Sequence, residues 1–267
     1  MAQFNKLLGI KNMLSPHKWE IGVSAGSYYP SLTQDFWGND IGLAYDDDHL
    51  GMQFYAFSYH IDEIEDPEHV ACRLFSLNLL LNGALRVAWN KNFAVPVEFT
   101  HFALCDGGGQ HSVHAANIEN NPFSQNADID KYEHEATPAS GRLSSRIFNL
   151  CKKDEVLRSL IFQVGLISLN SSLETIMTWG TLYKIYDSVK YHSKKNNYDF
   201  LKLGDPGRIN QFTAACNSSL LLGVYARHGD MGWGQPAAAI TDINEATSLI
   251  LDLANKFCLV HIGAQHP

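Results

Sequence analysis

Two adjacent side chains, Arg227 and His228, form the pair in this chain that is best suited to anion binding and acid–base chemistry. An arginine keeps its positive charge at physiological pH, whereas an imidazole gains and loses a proton near neutrality. Together they could hold an oxyanion while a proton moves. The pair lies in a Gly-rich loop, where functional side chains are often carried. The competing interpretation is a structural pair that bonds helix-end carbonyls or a partner subunit.

A second candidate surface lies on a predicted helix upstream of that loop. Trp179 and Tyr183 are four residues apart, so they share one face of the helix, and Lys184 follows directly. Aromatic rings beside a cation could stack on a base of RNA or of a nucleotide. Large aromatic residues also dominate protein cores, and core packing is the interpretation favoured for the two rings.

Acidic residues in the first half could indicate a hard metal ion and a metal-dependent hydrolase. The run Asp46–Asp48 and the segment His60–Glu63 offer oxygen ligands of the kind that Mg²⁺ and Ca²⁺ prefer. The calcium-loop spacing is absent, which favours a solvated acidic turn. His111 and His114 fall in a predicted strand, where residues three apart point to opposite faces. We therefore expect neither a metal site nor a cofactor.

Charge is distributed unevenly along the chain. Residues 1–125 carry 6 Lys and Arg against 14 Asp and Glu, a net charge of −8, whereas residues 126–267 carry 14 of each. The first half should repel a phosphate backbone, so any contact with RNA or a nucleotide is expected in the second half. A protein partner with a cationic surface would suit the acidic half.

Cysteine usage and hydropathy indicate a cytoplasmic protein. The five cysteines are odd in number and widely spaced, without a C-x-x-C pair, so they predict reduced thiols and neither a disulfide framework nor a zinc ribbon. The first residues lack the long apolar stretch of a signal peptide. The chain has no run of about 18 or more apolar residues, so no membrane span is expected.

Hydrophobic periodicity predicts a mixed first half and a helical second half. Alternating apolar residues indicate strands in the first half, and apolar residues three to four apart indicate one long helix there. In the second half the same helical spacing recurs, and Asp205-Pro206 supplies a helix start. The predicted strands are 19–29, 41–45, 52–59, 93–104 and 111–118, and the predicted helices cover 69–87, 157–164, 182–189, 209–216 and 246–257.

These elements predict an α+β fold class. We expect a mixed, β-rich module over residues 1–125, a polar linker over residues 126–142, and an all-α bundle over residues 143–267.

The second half resembles the HEPN superfamily, helical domains of many prokaryotic defence proteins. The resemblance covers residues 145–260 and is carried by W-x-x-L-Y-K-I from Trp179 to Ile185 and by A-R-H-G at residues 226–229. Both motifs are similar to those of an uncharacterised bacterial group in that superfamily. The resemblance implies a homodimer that acts in anti-phage defence or abortive infection. It also implies binding of RNA or a nucleotide through Arg227, Lys184, Tyr183 and Trp179.

HEPN ribonucleases share an R-x(4–6)-H motif whose Arg binds phosphate and whose His moves a proton, without a metal. The resemblance would assign these roles to Arg227 and His228. This sequence departs from the motif, because the positions where its His would fall hold Gly232, Trp233 and Gly234. Two alternatives follow. Either His228 takes over the proton transfer and the domain cleaves RNA, or the domain is a catalytically inactive sensor or protein-interaction module.

Overall fold

The chain folds as an α+β protein of two compact units. The computed structural model describes residues 17–38, 40–48, 51–89, 95–107, 109–114, 117–125, 142–167, 172–229, 234 and 236–266. The first unit comprises Met1–Asn78 and Val95–Arg142, and the second comprises Leu79–Ala94 and Leu143–Pro267. The α+β class predicted from the sequence is confirmed.

A five-stranded antiparallel sheet forms the centre of the first unit. Its strands are β1 (Trp19–Ser24), β2 (Gly42–Asp48), β3 (Gly51–Phe57), β4 (Glu98–Leu104) and β5 (His111–Ser112), in the order β2-β3-β1-β4-β5. The helices that begin in this unit are α1 (Tyr29–Leu32), α2 (Tyr59–Asp62) and α3 (Pro67–Trp89).

Strand β1 is the central strand of the sheet. Trp19 and Ile21 are buried, and the strand pairs with β3 on one side and β4 on the other. Gly22 lies under the imidazole of His101 on β4, and a Cβ atom there would fall 2.0 Å from that ring. A side chain at position 22 would therefore displace His101.

The bounds of all five predicted strands differ from those of the observed strands. The first ends at Ser24, because Pro30 belongs to the helical turn α1 rather than to an extended segment. Asp46–Asp48, assigned to a turn by the sequence, extend β2 and pair with Gly51–Gln53 of β3. Of the described residues in the predicted strand 111–118, His111 and Ser112 form strand β5 and pair with β4.

Helix α3 confirms the long helix predicted over residues 69–87. It is the one helix in the described part of the chain that is long and apolar enough to cross a bilayer. Of its most apolar 18-residue segment, 67% is buried. That burial is typical of the core helix of a soluble protein.

The described residues of the second unit are helical, apart from turns and loops. The predicted cap of Asp205 is confirmed, since its carboxylate accepts hydrogen bonds from the amides of Gly207 and Arg208. Asp242 caps the last helix in the same way, through the amide of Glu245. The helices are α4 (Leu143–Leu150), α5 (Glu155–Gly165), α6 (Ser172–Lys195), α7 (Pro206–Cys216), α8 (Ser219–Leu222) and α9 (Ile243–Gln265).

The second unit contains a segment that the sequence assigned to the first module. Residues 79–94 cluster with 143–267, and the predicted linker 126–142 lies outside the described residues except for Arg142. Within the second unit, Asn255 of α9 donates a hydrogen bond to the carbonyl of Val87, at 2.8 Å. The end of α3 therefore contacts α9 within the second unit.

Candidate anion-binding face on helix α6

A tight turn after helix α8 brings Arg227 to the side of helix α6. Gly223 ends α8 with a φ of 56°, a conformation that favours glycine, and begins the 3₁₀ turn Gly223–Tyr225. That turn packs against α6. The amide of Arg227 then donates to the carbonyl of Cys216, at 2.7 Å. The backbone of the arginine is thus anchored to the end of α7, while its side chain is exposed.

The guanidinium of Arg227 stacks on the ring of Tyr183. Its Cζ atom lies 4.0 Å from the ring centroid, within the range of a cation–π contact. Tyr183 is half-buried, so the ring is held by the helix while the cation above it stays accessible. The two residues are therefore presented together as one aromatic and cationic surface.

A buried ring supports this surface one turn further along α6, where Tyr186 is 7% exposed. Tyr186 meets the ring of Tyr183 edge to face, with centroids 5.5 Å apart. Lys190 lies over Tyr186, with its ammonium 5.4 Å from the ring centroid, and donates to the Tyr186 hydroxyl at 3.1 Å. We call the four residues Tyr183, Tyr186, Lys190 and Arg227 the α6 cation–aromatic face. Two exposed cations, Lys190 and Arg227, thus lie over the buried ring of Tyr186 and the half-buried ring of Tyr183.

Lys190 is held in its charged form on this face. The hydrogen bond to the Tyr186 hydroxyl raises the pKa of the ammonium, and the negative charge of Asp187 acts in the same direction. Asp187 is exposed next to the face, so the surface is cationic but carries one carboxylate at its margin.

Trp179 does not belong to this accessible surface. Its indole is 3% exposed and stacks on Phe212 of α7, with centroids 6.2 Å apart. The core interpretation therefore holds for Trp179, because a buried ring offers no face to a base. Lys184 is exposed on α6, one position after Tyr183.

The structure places His228 half-buried in the turn after Arg227. Gly232 and Trp233 lie outside the described residues, and Gly234 is exposed. Nearby, burial raises the pKa of the Cys216 thiol to about 12, although the charge of Arg227 opposes that rise. A thiol with that pKa stays protonated at neutral pH, so Cys216 serves packing rather than nucleophilic chemistry.

Compared with protein-family models, with curated proteins and with solved structures, the chain has no match.

Two of the side chains that could ligate a metal ion, His60 and Asp62, have other partners. His60 is buried, with Nε2 at 2.7 Å from Asp40 Oδ1 and with the Ser124 amide donating to Nδ1. Asp62 accepts hydrogen bonds from the Lys18 amide and from His17. In the described part of the chain, no group of three or more His, Cys, Asp or Glu is placed to hold a metal ion.

Two members of the face were not predicted from the sequence. Tyr186 and Lys190 are four residues apart on α6, a spacing that would have placed them on one helix side. Tyr186 also fits the apolar stripe of the helix, so the periodicity indicates a core residue at that position. The contact between Tyr183 and Arg227 joins segments 44 positions apart, which periodicity cannot reveal.

Proposed function

We propose that the second unit binds RNA or a nucleotide at the α6 cation–aromatic face. The observation that carries this proposal is the Arg227 guanidinium stacked on Tyr183 at 4.0 Å and still exposed. A guanidinium plane held on a ring is pre-oriented, so it can receive a base by stacking or a phosphate by paired hydrogen bonds. Lys190 and Lys184 add cations on the same helix.

The charge distribution supports this location. The net charge of −8 is confined to residues 1–125, while residues 126–267 are balanced. A polyanion is therefore directed to the second unit by repulsion from the first. There it would meet Lys190 of α6 and Arg227 of the turn that packs against α6.

Replacing the stacked cation should weaken binding of single-stranded RNA. We expect Arg227→Ala to raise the Kd about tenfold, since base stacking contributes about 1–3 kcal/mol and the cation is lost as well. Arg227→Lys should recover only part of the loss, because an ammonium keeps the charge without the planar stack. Fluorescence anisotropy with a labelled oligonucleotide measures both variants.

Arg208→Ala is the matched control for this measurement. Arg208 is another arginine of the second unit, with a side chain that is 41% exposed, but it pairs with Glu245 and lies on α7 rather than on the face. The control should bind RNA as the wild type does. If both arginine variants lose affinity equally, binding depends on general charge and the assigned face is wrong.

We further propose, from the resemblance to HEPN domains, a cytoplasmic homodimer in prokaryotic anti-phage defence that cleaves RNA without a metal. Arg227 would bind the scissile phosphate, and His228 would accept the proton of the 2′-hydroxyl. In the presence of a chelator, Arg227→Ala should lower the cleavage rate at least about tenfold, because removal of one oxyanion donor has an effect of that order or larger. Equal cleavage by wild type and variant would contradict the role of Arg227.

A catalytically inactive sensor or interaction module is the second candidate. Leu220 and Val224 lie in the segment that leads to Arg227 and are 65% and 78% exposed. Exposed apolar side chains beside an arginine are typical of protein interfaces. Purification from the native host distinguishes the two functions: RNA or nucleotide in the sample favours the first, and a stoichiometric protein partner without RNA favours the second.

A further inference from the structure

A buried histidine of the second unit lies between a carboxylate and a phenol. His261 on α9 is 3% exposed. Its Nε2 atom lies 2.9 Å from Asp154 Oδ2, and its Nδ1 atom lies 3.2 Å from the Tyr198 hydroxyl. The amide of Gln265 donates to the same phenolic oxygen, at 3.3 Å. Phenol, imidazole and carboxylate thus form one chain of hydrogen bonds.

The ionisation of Asp154 fixes the direction of those hydrogen bonds. Burial opposes ionisation, but hydrogen bonds from His261, from the Leu157 amide and from His266 outweigh it and hold the pKa of Asp154 well below its usual range. An ionised carboxylate only accepts hydrogen bonds, so Nε2 of His261 carries the hydrogen. In the neutral ring Nδ1 then has a lone pair, and the Tyr198 hydroxyl donates to it.

Each member of the chain is held by its own element. Asp154 is the N-cap of α5, where its Oδ1 accepts from the Leu157 amide at 2.9 Å. Tyr198 follows the end of α6, after Asn197 in the left-handed conformation with a φ of 58°. Its amide donates to the carbonyl of Ser193 at 2.8 Å, and the Tyr198 ring lies 6.1 Å from Phe257. The geometry is therefore pre-formed.

We propose that Tyr198 is a nucleophile that accepts an acyl group from an activated acyl donor, with His261 as general base and Asp154 as the positioning residue. In the step, the Tyr198 O–H proton passes to Nδ1 of His261 while the phenolic oxygen bonds to the acyl carbon. The bond from the acyl carbon to the leaving group then breaks. His261 returns the proton to that group, so the products are an acylated Tyr198 and the protonated leaving group. This site is separate from the α6 cation–aromatic face and does not depend on the function proposed for it.

The surroundings of the phenol favour an acyl donor over a phosphoryl donor. In the described part of the chain, the hydrogen-bond partners of the Tyr198 hydroxyl are His261 and Gln265, neither of which carries a permanent charge. An acyl carbonyl is uncharged and needs no cation to approach. A phosphoryl donor brings negative charge toward Asp154, which repels it.

Selective acetylation of Tyr198 by N-acetylimidazole tests the proposal on the full chain. Tyr191 on α6 is the internal reference, because it is 61% exposed whereas Tyr198 is half-buried. Exposure alone would make Tyr191 react faster. We expect Tyr198 to react at least about tenfold faster instead, since general-base assistance contributes a factor of that order or more. Peptide mapping by mass spectrometry measures both rates.

His261→Gln removes the general base and should lower the rate at Tyr198 at least about tenfold, with the rate at Tyr191 unchanged. Leu259→Ala changes a side chain of α9 that is 49% exposed, two positions before His261, and should preserve the selectivity for Tyr198. Tyr198→Phe confirms the assignment of the labelled peptide. The proposal is overturned if Tyr198 in the wild type reacts no faster than Tyr191, or if a folded His261→Gln protein keeps the wild-type rate. If the His261→Gln variant does not fold, the ratio of the acetylation rates at Tyr198 and Tyr191 in the wild type still tests the proposal.

Discussion

Gly83→Ala should lower the free energy of unfolding by at least about 3 kcal/mol, because the new methyl group meets backbone rather than a movable side chain. A Cβ atom at position 83 of α3 would lie 2.1 Å from the carbonyl oxygen of Ile161 on α5. The contact is reciprocal, since a Cβ atom at Gly165 would lie 2.1 Å from the carbonyl oxygen of Leu79. The two helices touch at their backbones, so both must move apart. Urea unfolding followed by circular dichroism measures the loss.

Gly180→Ala provides a matched control with the opposite sign. Gly180 is also inside a long helix, α6, but a Cβ atom there would meet nothing within 4 Å. Alanine is favoured over glycine in a helix by about 1 kcal/mol, so this variant should gain up to that amount. If Gly83→Ala is as stable as Gly180→Ala, the close approach of α3 and α5 is wrong.

The sequence predicts most of the helices because their buried positions repeat every three to four residues. Ala246, Ile250, Leu253 and Phe257 of α9 are all buried, as the periodicity indicates. The cap of Asp205 is equally predictable, because it depends on neighbours in the chain. Local sequence patterns therefore predict those elements whose stabilising contacts are with near neighbours in the chain.

The close contact between α3 and α5 joins residues that are far apart in the sequence, so local patterns do not predict it. From the sequence alone, Gly83 and Gly165 only lower the helix propensity of the segments that contain them. The residues that they contact lie in a helix that is separated from their own by other elements, so the reason for a glycine is visible only in the fold. The same reason explains why residues 79–94 were assigned to the first module. Their apolar pattern indicates a buried helix but does not say in which unit it is buried.

The residues of the two candidate sites differ in how far the local sequence predicts them. Arg227 and Tyr183 were recognisable as residue types in useful positions, and the structure adds that they touch. Asp154, Tyr198 and His261 carried no local signal as a group. His261 continues the apolar stripe of α9, so the sequence indicates a core residue. Its pairing with a carboxylate 107 positions away requires the tertiary fold.

Asp154→Asn should lower the free energy of unfolding by about 3 kcal/mol near neutral pH. The carboxylate is 10% exposed and its Oδ2 accepts from both His261 and His266, at 2.9 Å each. An amide in its place removes the charge that makes these hydrogen bonds strong. Asp252→Asn is the matched control, because Asp252 is 45% exposed and pairs with Lys256 at the surface. Its effect should stay within about 0.5 kcal/mol.

The pH dependence of the free energy of unfolding shows how much of the stabilisation by Asp154 comes from its charge. Because the folded pKa is depressed below the ordinary value of 3.8, the unfolded chain binds the proton first. The stabilisation is therefore fully present above about pH 4 and is lost as the pH falls through the folded value. Between about pH 4 and pH 2 the wild type should lose stability more steeply than Asp154→Asn, whose amide does not titrate. Urea midpoints measured across that range should converge as the pH falls. If the two curves run parallel, Asp154 is not held ionised by its histidines, and the hydrogen-bond direction assigned to His261 and Tyr198 is wrong as well.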